Sequence, residues 1–349
     1  SLAVKDGRVF ANVSANGSPY AAALDQNTGK ILWKTVVAKG GDAYTNSSVA
    51  LIDGMLFIGI SGPEDVGAKV RHPGGFALLD PANGKIITRV YTIKKHENDQ
   101  GLKGASFWGT PVYDPKTGYM FDGTGQPANK AKESSLSNAL VKVDVNRKHS
   151  SFAKIVDYYH GDYDEGADLD FGGSPTMFKD KKGNLIIGAL QKSGRYHAVY
   201  ADDMEQAWWA RLGDPLALGN AGTGATDGKA VYVAASGQTD VEAREPNPGY
   251  LYSLSTTNGA VNWKTPIASG VDYHLISTAG GIVYVVTTHG LLLGLNAQDG
   301  LPVVARSLSV DAHEPCVNLS SGAIVARHTI YAVCDVAANG LGYVVAYGQ

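Results

Sequence analysis

The sequence predicts an all-β fold, a β-propeller of four-stranded antiparallel blades, and three observations predict it. Glycine is abundant, with 43 of 349 residues, while 44% of the chain is hydrophobic and only 18% is charged, a balance that buries a core yet demands many turns. Short apolar runs of β type are separated throughout by turn dipeptides. The same order of runs and turns then returns seven times, at a period of roughly 40 to 65 residues, which is the spacing of a propeller blade.

Each copy reads as four strands, a to d. The first, "AVKDGRVFANVS...AAALDQNTGKILWKT", has turns at Asp6-Gly7, Asn16-Gly17 and Asn27-Thr28-Gly29. The order repeats in "ALIDGMLFIGIS...FALLDPANGKIITRV", with Asp53-Gly54 and Asn83-Gly84, and in "GATDGKAVYVAAS...YLYSLSTTNGAVNWKT", with Asp227-Gly228 and Asn258-Gly259. Four weaker copies begin at "PVYDPKTG", "TMFKDKKG", "STAGGIVY" and "GAIVARHT". The a–b turn is the D-G or G-G pair; the c–d turn is an N-x-x-G-K or N-G element, suited to residues with positive φ. Strand c runs into an aspartate, as at Asp25 and Asp80, and strand d carries Trp33 or Trp263.

The last copy stops after "YVVAYGQ", at the third strand. An open ring leaves unpaired edges, so either a segment preceding Ser1 supplies the closing strand or the last blade has three strands. Seven blades are expected. An eighth would have to lie within residues 105–165, whose length a loop insertion explains better.

Composition narrows the partners. A formal net charge of −3 without a basic run gives no electrostatic footprint for nucleic acid or anionic lipid. No apolar run approaches the roughly 18 residues of a membrane span, and "SLAVKDGRVF" lacks the basic and apolar regions of a signal peptide. A soluble, monomeric, single propeller domain over residues 1–349 is expected, with no nucleic-acid or membrane partner. The two cysteines, Cys316 and Cys334, fit one disulfide or two buried thiols. N-x-[ST] acceptors at Asn12, Asn46 and Asn318 point to a secreted glycoprotein.

The chemistry-bearing residues gather in the middle of the chain. "YYHGDYDEGADLDFGGSP" is its densest acidic and aromatic stretch, with Asp162, Asp164, Asp168 and Asp170, and a bound cation would relieve the repulsion among these carboxylates. "QKSG" comes next, with Lys192 between strands b and c of the fourth copy. Each residue has a structural role open to it as well: an aspartate caps a turn, a hairpin lysine is solvated, a tryptophan wedges between blades. No nucleophile elbow, phosphate loop or dinucleotide fingerprint occurs.

The "LDQNTGKILWK" repeat, together with "GASFWGTPVYDPKTGYMFDGTGQP", "GADLDFGGSP" and "ALQKSGRYHAVYADD" in that order, resembles the quinoprotein dehydrogenase propellers that bind pyrroloquinoline quinone, in particular their polyvinyl-alcohol-dehydrogenase-like branch. The resemblance spans most of the chain. It implies an oxidoreductase that oxidises a small-molecule alcohol at a funnel on the propeller axis, with pyrroloquinoline quinone and calcium. That chemistry needs a base for the hydroxyl proton, a cation beside the quinone carbonyls and a flat apolar surface. Asp168 and Asp170 would serve as base or calcium ligand, Lys192 as the cation and a contact to the quinone, Trp108 as the stacking plane and Gln126 as a further cofactor contact. Asp162, Asp164, Asp168 and Asp170, with the amide of Gln126, would hold calcium. The chain departs from the family in lacking the adjacent-cysteine disulfide, in carrying Gln126 where asparagine is usual, and in lacking a C-x-x-C-H haem site. A quinone-free propeller binding a protein, glycan or small ligand is the alternative the same fold allows.

Overall fold

The structure, a computed structural model, describes residues 1–348 apart from 16–17, 40–42, 63–71, 95, 97–101, 103, 128–133, 163–167, 216–219, 237–248, 268–273, 317–321 and 337–340. Among the described residues, 27 strands form seven antiparallel sheets, one for each sequence copy: residues 3–36, 50–91, 112–160, 176–211, 225–267, 277–307 and 323–347. Six sheets have four strands in chain order, and the seventh has three. The fold is a β-propeller of seven blades. Among the described residues of 105–165 there is a single blade, not two. By contacts the chain divides into two compact units, Ser1–Pro175 with the first three blades and Thr176–Gln349 with the other four.

Turn chemistry explains why these residues form hairpins. At the a–b turns both central residues take positive φ: Asp6 and Gly7 (50°, 72°), Asp53 and Gly54 (46°, 73°), Gly280 and Gly281 (59°, 76°). That is the twist which matches paired strands. The seventh blade makes the same turn with Arg327 and His328 (50°, 64°), two residues that resist it. At the c–d turns an aspartate gathers the loop: Asp25 Oδ1 accepts from the backbone of Asn27 and Thr28 and from the Thr28 hydroxyl, and Asp80 accepts from Ala82 N–H at Oδ1 and from the Asn83 side-chain amide at Oδ2. Each of the six c–d pairs slips register once, as between Ala23 and Leu24 or Ser253 and Leu254, a bulge that re-aims the outer strand.

Neighbouring blades are joined through a tryptophan. The Trp33 indole N–H donates to Pro81 O (3.1 Å), Trp263 to Ala297 O (3.0 Å) and Trp208 to Thr256 O (3.1 Å). In each case the ring lies under the c–d glycine of the next blade: a Cβ built on Gly84, Gly300 or Gly259 would stand 2.4–2.6 Å from a ring carbon. Two threonines complete the contact, Thr35 Oγ1 donating to Gly84 O and Thr265 Oγ1 to Gly300 O. The b strands of the second and fifth blades, Met55–Ile60 and Ala230–Ser236, are buried along their whole length because both faces meet another blade. The d strands alternate or lie exposed, as in Lys154–His160 and Ile31–Val36.

An aromatic core cluster backs the central sequence blocks. Phe57, Phe76, Phe107, Met120 and Val141 pack between the second and third blades. In the second unit, a disulfide joins Cys316, just beyond the short helix Leu308–Ala312, to Cys334 in strand Thr329–Val336 (Cα–Cα 5.0 Å), deciding between the two states the sequence left open.

Candidate functional site

Three shorter blocks, cut from "GASFWGTPVYDPKTGYMFDGTGQP" and "GADLDFGGSP", meet in the first unit, a first at 104–110, a second at 122–127 and a third at 168–175, while "ALQKSGRYHAVYADD" belongs to the second unit. Residues 104–110 and 123–127 run side by side: Ala105 N–H donates to Gln126 O (2.9 Å), Gly125 N–H to Ser106 O (2.8 Å), and Gly104 bridges Pro127. The third block then closes on both. Thr110 N–H donates to Ser174 Oγ (2.8 Å), and a Cβ on Gly123 would fall 2.5 Å from Phe171 Cβ. A Cβ on Gly109 would stand 2.6 Å from Asp122 Oδ1, 3.2 Å from Ser174 Cα and 3.3 Å from Gly173 O. Glycine is therefore required where the chains touch.

Of the predicted residues, Trp108 and Gln126 lie in the paired stretches of this seam, and Asp170 directly precedes Phe171 in the third block, with Asp168 two residues earlier. Trp108 is half-buried, edge-on to Tyr44 with ring centroids 6.0 Å apart, and its buried indole N–H has no hydrogen-bond partner among the described residues. Gln126 and Asp170 are buried, Asp170 completely, between Leu169 and Phe171; Asp168 is half-buried. Asp162 is half-buried two residues after strand Lys154–His160. Asp164 lies outside the described residues. Among the described residues no three of histidine, cysteine, aspartate and glutamate are gathered closely enough to hold a metal.

Lys192 belongs to the second unit, half-buried at the tip of the hairpin between strands Leu185–Leu190 and Arg195–Tyr200. Its hairpin is built on a polar cluster: the buried Gln191 Oε1 accepts from the Ser193 hydroxyl and His197 Nε2, both at 2.9 Å. Arg211 donates to Ser193 O (3.2 Å), and the Arg195 guanidinium stacks on Trp209 (4.5 Å). Gly194, with φ of 79°, closes the turn through its N–H to Gln191 O.

Sequence reading missed Asp122. Its D-G pair looks like the a–b turns at Asp6-Gly7 and Asp53-Gly54, yet it lies within strand Tyr119–Gly123 and is fully buried. Burial pushes its carboxyl well above the usual range, opposed only by the Gly123 N–H that donates to Oδ1 (2.8 Å). The period of two could have found it, since Asp122 shares the face of Met120, while Phe121 points the other way. The sequons fare unevenly: Asn46 is exposed, the Asn12 amide donates to Thr45 Oγ1 and Ser47 O, and Asn318 lies outside the described residues.

The chain resembles known proteins in sequence and in fold. The chain is 28% identical over 275 residues to a polyvinylalcohol dehydrogenase of a Pseudomonas species, an alignment covering 70% of this chain and 42% of that protein. It is 24% identical over 280 residues to the quinoprotein alcohol dehydrogenase PedH of Pseudomonas putida, covering 72% and 45%. The chain is thus similar in sequence to quinoprotein and polyvinylalcohol dehydrogenases. It spans under half the length of these curated relatives. The PQQ_2 family model, described as outer membrane protein assembly factor BamB, matches residues 192–340, within the second unit. In fold, the quinohemoprotein alcohol dehydrogenase of Comamonas testosteroni superposes with a TM-score of 0.74 at 15% identity, covering 96% of this chain and 62% of that one. No described helix is long and apolar enough to cross a membrane.

Proposed function

We propose that this chain is the propeller of a quinone-dependent dehydrogenase that oxidises an alcohol. The observation that carries the reading is the meeting of "FWGTP", "DGTGQP" and "DLDFGGSP" in one glycine-lined seam, in a chain related to polyvinylalcohol and quinoprotein alcohol dehydrogenases. The half-buried Trp108 ring and its unpartnered indole N–H suit a planar group rich in acceptors. Pyrroloquinoline quinone, when bound, supplies the two-electron acceptor that no side chain provides. Trp108 and Gln126 would hold it, with Lys192 contributing the positive charge beside its oxygens. Asp168 or Asp170 would take the proton from the alcohol hydroxyl; the calcium expected from the sequence at Asp162, Asp164, Asp168 and Asp170 is not supported by the three of these that are described, which are not gathered closely enough to hold it. The alcohol is a small molecule or a segment of a polymer, the protein acts as a monomer, and its disulfide suits an oxidising, extracytoplasmic compartment.

The family model over residues 192–340 favours a second reading, a quinone-free propeller that binds a partner. One experiment separates them. Purified protein is incubated with pyrroloquinoline quinone and calcium, then assayed for dye-linked oxidation of secondary alcohols. Turnover that requires both additions supports the dehydrogenase; no turnover and no change in quinone absorbance support the binding module.

A further inference from the structure

We propose that Asp122 is the positioning residue of the candidate site, the buried strut against which the Phe107–Thr110 and Phe171–Ser174 turns are packed, so that it sets where Trp108 and Asp170 stand. Its place in the seam supports this role. Asp122 lies at the end of a strand whose same-face residues, Met120 and the cross-strand Val141, belong to the apolar cluster with Phe107. From that face its carboxyl reaches the first block at Gly109, beside Trp108, while the backbone of Gly173 and Ser174 abuts the same glycine. Asp122, in the second block, thus faces the glycine of the first on which the third also closes. Aspartates at other strand ends are used differently. Asp25, Asp80, Asp114 and Asp180 each fill their oxygens with donors from a single surface turn.

The charge state is set by the surroundings. Oδ1 accepts from Gly123 N–H, and Oδ2 is buried with no hydrogen-bond partner among the described residues. Lys142 pairs with Phe121 and reaches over the Tyr119 ring, so it lies on the opposite face of the sheet. The third block brings Asp168 and Asp170, which would disfavour a further negative charge, and the block of Gly109 brings no charged residue among those described. Burial then keeps the carboxyl protonated. A neutral acid can pack against backbone at a distance an anion could not sustain.

The proposal rests on the functional reading above only for its consequence, the binding of quinone; the packing claim is read without any cofactor. Amide hydrogen exchange and tryptophan emission are measured on the full chain for wild type, Asp122→Asn and Asp122→Ala, with Trp108→Phe used to isolate the Trp108 signal by difference. Asp122→Ala is expected to raise exchange in residues 107–110 and 171–174 about tenfold or more, the size of losing a buried hydrogen-bonded group, while strand Ile282–Val286 in the second unit is unchanged. Asp122→Asn, equal in shape but unable to ionise, is expected to keep wild-type exchange and to abolish any titration of Trp108 emission that reports the raised Asp122 carboxyl. Unchanged exchange at both turns in Asp122→Ala overturns the proposal. So does a wild-type Trp108 titration surviving in Asp122→Asn, a result that decides the matter even if the alanine variant does not fold. If the packing results hold but pyrroloquinoline quinone binds no variant, the dehydrogenase reading fails and the strut stands.

Discussion

The tryptophan-under-glycine contact between blades makes a prediction with a control built into the same chain. Gly84 and Gly29 occupy the same place in successive c–d turns and share a left-handed backbone, with φ of 73° and 69°. They differ in what lies beside them. A Cβ on Gly84 would meet the Trp33 ring at 2.5 Å and Thr35 Oγ1 at 2.7 Å, whereas a Cβ on Gly29 would meet nothing within 4 Å. Placing alanine in the left-handed region costs about 1–2 kcal/mol at either site. Forcing a methyl group into a filled contact costs a further 1–3 kcal/mol or so. Gly29→Ala should therefore lose about 1–2 kcal/mol and Gly84→Ala about 2–5 kcal/mol, with Gly259→Ala and Gly300→Ala near the larger value. Urea unfolding followed by circular dichroism gives the difference directly. Equal losses at Gly29 and Gly84 would refute the idea that the tryptophan, rather than the turn, makes this glycine necessary.

The same physics bears on three other places in the chain. Asp122 is protonated in the folded chain at a pH where the unfolded chain has released that proton, so its contribution is complete below about pH 4 and is lost as pH rises toward its elevated folded value; Asp122→Asn should flatten that fall in a series of urea titrations. Arg327 and His328 hold a turn that prefers glycine and asparagine, and replacing them with Asn and Gly should raise the unfolding midpoint by a gain of about 0.5–1 kcal/mol each. The Cys316–Cys334 bond closes a loop of 18 residues, so Cys316→Ala with Cys334→Ala should cost about 3 kcal/mol, with calorimetry under non-reducing conditions as the check.

Much of this fold was legible because its signals are local. A D-G or G-G pair between apolar runs marks several of the a–b hairpins, and an aspartate just ahead of an N-T-G or N-G turn gathers that turn, so seven copies in the sequence became seven sheets. The seventh was readable even with Arg327 and His328 in its turn, since the flanking apolar runs kept their order. The meeting of the three central blocks was foreshadowed only by their glycines; contact between residues 109, 122 and 173 spans more than 60 positions and leaves no periodic trace. Asp122 was hidden for a sharper reason. Its neighbour Gly123 makes it look like another turn, and only the phase of strand Tyr119–Gly123 shows the carboxyl pointing into a core. The disulfide was undecidable from two cysteines whose pairing depends on a helix packed beside the last blade.

The central claim, that the seam holding Trp108 and Gln126 binds a quinone, is tested most directly by equilibrium binding of pyrroloquinoline quinone in the presence of calcium. Wild-type protein should bind one equivalent saturably and lose Trp108 emission as it does so, with affinity falling about tenfold or more in Trp108→Ala and in Lys192→Ala, since each removes a contact of the size of a stacked ring or a charged hydrogen bond. Binding that is absent, non-saturable or indifferent to both substitutions would contradict the account.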